Sequence, residues 1–345
     1  MAWQRILIRA TNWVGDAVMS LPALQAVRRR HPRAEITVLA RPWVADLYRR
    51  EPFADRVLLY EARPGAGDWR GKWKAAQALH AGGFGAAILL PNSFEAALVV
   101  WLARIPRRIG YRRDARGPLL TDPIPRPAPG EIPRHESYYY LEMLRRAGLI
   151  EELPVVEEIR LDGAGKARVQ GQARLEAEGL GSGVIGVSPG AAFGSAKRWL
   201  PERFAEAAAQ AARRAGLAVA IFGAAGERAI CEAVARQLGA ARIPVRNFAG
   251  RTSLAEFIEL AAACRLFLTN DSGAMHVAAA LGVPTVAVFG STDPEATGPL
   301  GKHTRIIREP VDCAPCKLRE CPIDHRCMTR VEAARVAEAA LQLLK

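Results

Sequence analysis

Leu266-Phe267-Leu268-Thr269-Asn270-Asp271-Ser272-Gly273-Ala274-Met275-His276 is the stretch from which the fold is read. Leu266–Thr269 is short and apolar and predicts a buried strand, and Asn270 to Gly273 is a polar turn. A helical pattern from about Ala274 to Leu281 follows directly. A strand that ends in a polar, glycine-containing turn and enters a helix is the core of a βαβ unit. The same grammar recurs on both sides. Val184–Ser188 predicts a strand ending at Pro189-Gly190, with a helix over about Pro201 to Ala215. Leu217–Phe222 ends at Gly223, Thr285–Phe289 ends at Gly290, and a last helix covers about Arg330 to Leu344.

The N-terminal half repeats the pattern. Arg5–Arg9 predicts a strand, Val14-Gly15-Asp16 a glycine-containing loop, and about Ala17 to Arg30 a helix. Ile36–Ala40 and Ala86–Leu90 are further strands, the second ending at Pro91-Asn92. Residues 117–135 are rich in Pro, Gly and Arg and predict a long loop, and Ser137–Ala147 a helix. Strands alternating with helices make parallel sheets. The polar stretch at about 155–182 places the boundary, giving domains at 1–160 and 161–345. The expected architecture is α/β: two Rossmann-like domains facing each other across a cleft at the carboxyl ends of their strands, where such folds bind ligands.

The bulk numbers agree. A chain of 345 residues is too long for one ordinary core. With 50% hydrophobic and 24% charged residues it has the balance of a folded protein. The net charge of +13 favours anionic partners, and the arginines that dominate it suit phosphate and carboxylate. Arg5, Arg9 and Asp16 interrupt the N-terminal apolar stretch, so no signal peptide is expected. No run approaches the roughly 18 apolar residues of a membrane span. A cytoplasmic location is expected, with any membrane contact made through the surface.

Polar residues fall at the strand ends. Pro189-Gly190, Gly223, Asp271-Ser272-Gly273 and Gly290 supply backbone that can approach a phosphate, and helix starts that can bind one. Lys197 follows the first of these loops and can neutralise a diphosphate. No G-x-G-x-x-G follows the first strand, and no G-x-x-x-x-G-K-[ST] occurs, which disfavours a nicotinamide dinucleotide and P-loop chemistry. Asp271 and Ser272 read either as simple caps of the helix that carries His276 or, with Gly273 and His276, as a phosphate-facing group. Asp16 reads either as a first-turn acid favoured by the helix dipole or as a general base facing the cleft.

Asn12-Trp13-Val14-Gly15-Asp16-Ala17-Val18-Met19-Ser20 resembles the opening motif of the ADP-heptose:lipopolysaccharide heptosyltransferases, glycosyltransferase family 9. Pro91-Asn92-Ser93-Phe94 resembles their second landmark. Pro189-Gly190-Ala191 through Ala196-Lys197-Arg198-Trp199 looks like their diphosphate loop, and Thr269 to Ala280 like their nucleotide-end motif. The Trp-Val-Gly-Asp and Pro-Asn-Ser-Phe forms are those of the members that add the second heptose. One departure is Leu200, which stands between Trp199 and Pro201.

The resemblance implies a GT-B fold and inverting transfer that needs no metal. The implied donor is ADP-L-glycero-D-manno-heptose, and the implied acceptor is the heptosyl-Kdo2-lipid A precursor at the cytoplasmic face of the inner membrane. Carried over, Asp16 matches the proposed base and Lys197 the leaving-group lysine. Gly190, Asp271, Ser272, Gly273 and His276 match the donor site, Glu227 the acid that holds the ribose, and Thr252 lies near the adenine. Gly15, Asn92 and Ser93 fall in the acceptor-side motifs. Arg104, Arg107, Arg108, Arg112, Arg113 and Arg116 follow in the same half, opposed within the run only by Asp114. Of these, Arg112 and Arg113 are the expected contacts to Kdo carboxylates, lipid A phosphates or the anionic leaflet.

Cys313, Cys316, Cys321 and Cys327, with His325 among them, are not needed by that mechanism. A structural zinc site is one reading, although the spacing lacks paired C-x2-C knuckles; reduced thiols or disulfides are the others. Cys231 and Cys264 read as buried small hydrophobes. Two rival functions remain. One is first-heptose transfer, or another nucleotide sugar, on the same fold. The other is nucleic-acid binding, against which the strand-end polar residues and the lack of interleaved aromatic and basic residues speak.

Overall fold

The computed structural model describes residues 3–345 except 64, 66 and 182. The chain forms two compact units, Met1–Val156 and Glu157–Lys345. The first contains β1 (Arg5–Arg9), α1 (Val14–Met19), α2 (Leu21–Arg30), β2 (Glu35–Ala40), α3 (Pro42–Tyr48) and β3 (Arg56–Leu59). It continues with α4 (Trp69–Ala81), β4 (Ala86–Leu89), α5 (Phe94–Leu102), β5 (Arg107–Tyr111), β6 (Asp122–Ile124) and α6 (Glu136–Arg146). The second unit contains α7 (Ala164–Ala177), β7 (Val184–Ser188), α8 (Pro201–Ala215), β8 (Ala218–Ile221), α9 (Arg228–Ala240) and β9 (Val245–Asn247). After these come α10 (Leu254–Ala262), β10 (Leu266–Asn270), α11 (Gly273–Ala280), β11 (Thr285–Phe289) and α12 (Pro294–Thr297). The chain finishes with β12 (Thr304–Arg308), α13 (Arg326–Thr329) and α14 (Ala333–Leu343).

Among the described residues each unit holds a 6-stranded sheet, ordered β3-β2-β1-β4-β5-β6 and β12-β11-β10-β7-β8-β9. Every pairing is parallel. Each order reverses once, between β1 and β4 and between β7 and β10, and these switch points are where open α/β sheets take ligands. The central strands β4, β7, β10 and β11 are apolar nearly throughout, and β1 is apolar between its terminal arginines, because helices cover both faces. In the second unit Trp199, Phe204 and a run of alanines on α8 pack with Val336, Ala337 and Ala340 of α14. Alanine at those positions lets helix approach helix without the rotamer loss of a longer side chain.

Local chemistry sets the helix ends. Ser253 and Glu256 form a reciprocal capping box at α10. Pro201 opens α8, and Gly216 closes it in the left-handed region at φ 64. Leu200 is simply the N-cap position of α8, so the extra residue is absorbed ahead of the helix.

The structure departs from sequence expectation in definite places. Val14, Gly15 and Asp16 are the first turn of α1, not a loop. The helix expected over 17–30 is broken at Ser20, where Ser20 Oγ bonds Ala17 O (2.8 Å) and Pro22 sits in the first turn of α2. Residues 117–135 contain β6, and the polar stretch at 155–182 contains α7, which packs on α10. The strands missed by pattern, β3, β5, β6, β9 and β12, lie toward the sheet edges. They carry arginine or aspartate, which weakens the apolar signal.

Candidate active site

In the first unit the turn after β1 is tied down before it presents Asp16. Arg9, 3% exposed, donates from Nη2 to Asn12 Oδ1 (2.8 Å), and Trp43 Nε1 donates to Asn12 O (2.8 Å). Arg9 and Arg41 both lie over the Tyr60 ring, at 4.9 and 4.4 Å from its centroid. Burial, and then the neighbouring Arg41, pull the Arg9 guanidinium down to about 10. Half-buried Asp16 follows in the first turn of α1, where the helix dipole favours a carboxylate. Glu136, in the first turn of α6, is close enough to feel it. Burial, and then the Asp16 charge, raise the Glu136 carboxyl to about 7.

The loop after the adjacent strand β4 carries Asn92 and Ser93. Asn92 Nδ2 donates to Tyr139 Oη (2.9 Å), and its Oδ1 accepts from Arg116 Nη2 (3.3 Å). Ser93 is the N-cap of α5, its Oγ accepting from Ala96 N (3.3 Å). The arginine run does not act as one patch. Arg116 is fully buried and donates to Tyr111 O (2.8 Å) and to Pro91 O as well as to Asn92. Arg107 bonds Asp122, and Arg108 bonds Leu119 O (2.7 Å) and Ile105 O (2.5 Å). Arg104, Arg112 and Arg113 remain exposed, Arg113 beside Asp114. Arg116 as a buried strut for Asn92 was not legible in sequence, where it looked like its neighbours.

In the second unit the predicted donor residues converge at the β7/β10 switch point. Lys197 Nζ donates to Asp271 Oδ2 (2.5 Å), and Thr292 Oγ1 donates to the same oxygen (2.5 Å). The side chains of Lys197 and Asp271 are only 13% and 4% exposed, so the pair is shielded from water. Asn270 Nδ2 bonds Pro189 O (2.8 Å), and its Oδ1 receives Trp199 N (2.9 Å), stapling the ends of the Lys197 loop to β10. Ser272 caps α11 with Met275 N on its Oγ (3.5 Å), so the α11 N-terminus begins beside Asp271. His276 is buried in the first turn of that helix rather than standing on the surface. Gly190 lies against the Glu227 carboxylate, which a Cβ there would strike. Glu227 Oε2 accepts from Ala224 N (2.8 Å). Half-buried Thr252 follows Gly250, whose N–H reaches Gly223 O (2.9 Å), so the loops of Glu227 and Thr252 adjoin.

The cysteine segment is joined to this site. Ala196 N donates to Arg319 O (2.9 Å), His325 Nε2 contacts Ala196 O (3.1 Å), and Lys317 N donates to Ser291 O (2.7 Å). Gly194 packs directly on the Arg319 backbone, with no room for a Cβ. Lys197 and Arg319 both approach the Phe193 ring, at 4.9 and 5.4 Å. Thus the segment braces the loops carrying Lys197 and Thr292, although its cysteines looked unrelated to the chemistry. All six thiols are free. Cys313 and Cys316 are exposed, whereas burial first, and then the other three thiols, raise Cys327 to about 11. Among the described residues no three His, Cys, Asp or Glu side chains are grouped to hold a metal ion. Cys231 and Cys264 are buried, as their apolar settings predict.

Two units of this strand order define the GT-B class of nucleotide-sugar glycosyltransferases. A cation in the second unit is held at the switch point beside a helix N-terminus, and an acid in the first unit opens the helix after its first strand. Comparison with known proteins makes the assignment specific. Residues 72–326 match the family described as glycosyltransferase family 9 (heptosyltransferase). The chain is 34% identical over 309 residues to lipopolysaccharide heptosyltransferase 2 of Escherichia coli K12, covering 88% of each. Identity to the Salmonella typhimurium protein of the same name is 33% over the same length and coverage. The solved E. coli ADP-heptose LPS heptosyltransferase II superposes with a TM-score of 0.81 at 30% identity, over 99% of this chain and 98% of that one. The chain belongs to glycosyltransferase family 9 and is a glycosyltransferase.

Proposed function

We propose that this enzyme transfers L-glycero-D-manno-heptose from ADP-heptose to the first heptose of the lipopolysaccharide inner core. The observation that carries the reading is the Lys197–Asp271–Thr292 group at the β7/β10 switch point. The Escherichia coli and Salmonella typhimurium relatives, matched over 88% of this chain and of their own length, are named lipopolysaccharide heptosyltransferase 2. The acceptor is the heptosyl-Kdo2-lipid A precursor, taken by the first unit at the cytoplasmic face of the inner membrane, where the enzyme is peripheral. No helix among the described residues is long and apolar enough to cross a membrane.

In the proposed mechanism Asp16 takes the proton of the acceptor hydroxyl as its oxygen forms the new bond to the anomeric carbon. The bond to the ADP oxygen breaks on the opposite face, so configuration inverts through an oxocarbenium-like transition state. Negative charge grows on the β-phosphate. Lys197, fixed by Asp271, and the N–H groups at the start of α11 meet that charge without reorganising. Glu227 holds the ribose, and Thr252 lies near the adenine. Gly15, Asn92, Ser93, Arg112 and Arg113 serve the acceptor side. The cation and the helix supply the charge stabilisation a divalent ion would otherwise provide, so transfer is metal-independent and a chelator leaves turnover unchanged.

The test is ADP release with ADP-heptose and heptosyl-Kdo2-lipid A, against Kdo2-lipid A lacking heptose. Release with the heptosylated acceptor alone is expected. Release only with the other acceptor would assign first-heptose transfer, and silence with both would send the search to other nucleotide sugars. Asp16→Asn is expected to lower kcat by about 10²–10⁴ while the protein stays folded. A variant that keeps most of its turnover would remove Asp16 as the base.

A further inference from the structure

On the first unit, α4 and α5 pack side by side and leave an aromatic face uncovered. Trp69 and Trp73, one turn apart on α4, are 57% and 53% exposed. On α5, Phe94 and Trp101 are 45% and 46% exposed, with half-buried Leu98 between them on the same helical stripe. Large indole rings held in water are unfavourable by the area they expose, and soluble surfaces seldom gather them. These rings do not serve the fold, because Lys72, Ala76 and Leu79 form the buried side of α4, and Ala96, Ala97, Val99 and Val100 that of α5.

The charge around the rings is mostly positive: the one acid that borders them, the N-cap Asp68, is engaged by Arg63 N (2.7 Å) and Gly71 N (3.0 Å). Arg70 and Lys74 are exposed on α4, and Arg104 is exposed just past α5. The single acid on the two helices, Glu95, faces inward. Its Oε1 accepts from Tyr60 Oη (2.9 Å) and Arg41 Nη2 (3.1 Å), and Lys72 lies 3.8 Å from its other oxygen. Within the two helices no carboxylate opposes an anionic surface, and the three cations outnumber the capping Asp68.

We infer that the α4–α5 face is the surface by which the enzyme docks on an anionic lipid bilayer. Trp69, Trp73 and Trp101 enter the headgroup region, and Arg70, Lys74 and Arg104 pair with lipid phosphates. Indole rings favour that region because they carry an apolar body and an N–H donor. Each nearby cation adds an attraction that falls off within a Debye length. The inference deepens the peripheral location proposed above and rests on it, but it does not depend on which sugar is transferred.

The experiment is co-sedimentation of the full chain with phosphatidylcholine vesicles, with and without phosphatidylglycerol. It compares the parent, Trp69→Ser/Trp73→Ser and Trp101→Ser, with tryptophan emission read alongside. The parent should sediment with the phosphatidylglycerol vesicles at low salt and shift its emission to the blue. The double variant should bind about tenfold or more weakly, and Trp101→Ser should weaken binding independently. All three should turn over a delipidated, water-soluble acceptor equally. Variants that bind like the parent, or a parent that ignores charged vesicles, would overturn the inference. So would a parent that is dimeric by light scattering and becomes monomeric in the double variant, since the face would then belong to a second copy. Loss of turnover on the soluble acceptor would assign the face a structural role and overturn it too. Vesicle binding intact in a parent that transfers no heptose would count against the proposed activity alone and support the docking face.

Discussion

Lys197 and Asp271 are 74 residues apart in sequence and meet at 2.5 Å. A buried pair of this kind is coupled, and removing one partner strands the other's charge. Lys197→Ala is expected to lower kcat by about 10²–10³, the range for deleting one preorganised donor to a developing anion. Asp271→Asn should also lower kcat. The double variant should be little worse than Lys197→Ala alone, because the aspartate acts through the lysine. A cycle whose effects add would mean that Asp271 touches the donor by itself. Glu136 carries a separate prediction. Its carboxyl is raised from 4.5 to about 7, by burial first and Asp16 second, so the folded state binds more protons than the unfolded one between those values. Stability therefore falls as pH rises from about 4.5 to about 7 and does not fall further from this group above that. Glu136→Gln should remove this loss, gaining on the order of 2 kcal/mol over the parent at pH 8 relative to pH 4 in urea unfolding. An equal difference at the two pH values would count against the shift.

At the scale of elements, the loop after β7 and the cysteine segment form one brace. Ala196, Gly194 and Phe193 on one side meet Arg319 and His325 on the other through backbone, ring and cation contacts. Gly194→Ala places a methyl group against the Arg319 backbone and should push the Lys197 loop outward. A shift near 1 Å in a catalytic group costs about 10²-fold in rate. The expected result is a loss of that order in kcat/KM for the donor, with acceptor KM and urea midpoint nearly unchanged. Equal damage to acceptor KM would show that the substitution disturbs more than this loop. Elements also explain what sequence reading resolved. β7, β10 and β11 were legible because central parallel strands are apolar on both faces. β5 was not: it begins Arg107-Arg108, and its side chains pair with Asp122 and loop carbonyls that lie beyond any local window.

For the whole molecule, a formal charge of +13 meets two anionic substrates differently. In the proposed mechanism ADP-heptose meets a shielded lysine and a helix end, whereas the acceptor meets exposed Arg112 and Arg113. Salt screens exposed charges far more than buried ones. Acceptor KM should rise with ionic strength much more steeply than donor KM. Parallel responses would place the acceptor contacts elsewhere.

The linear sequence was enough for the α/β class, the two-domain division and the strand-end positions of Asp16, Asn92, Lys197 and Asp271. Those follow from local periodicity and from the turn that must end each strand. Which polar groups would be spent on the protein itself was decided only in three dimensions. Arg116 turned inward to hold Asn92, His276 was buried, Thr292 joined Asp271, and the cysteine segment closed on the Lys197 loop. A side chain's partner is set by which strand ends the parallel crossovers bring together, and that neighbourhood leaves no trace in the residues on either side.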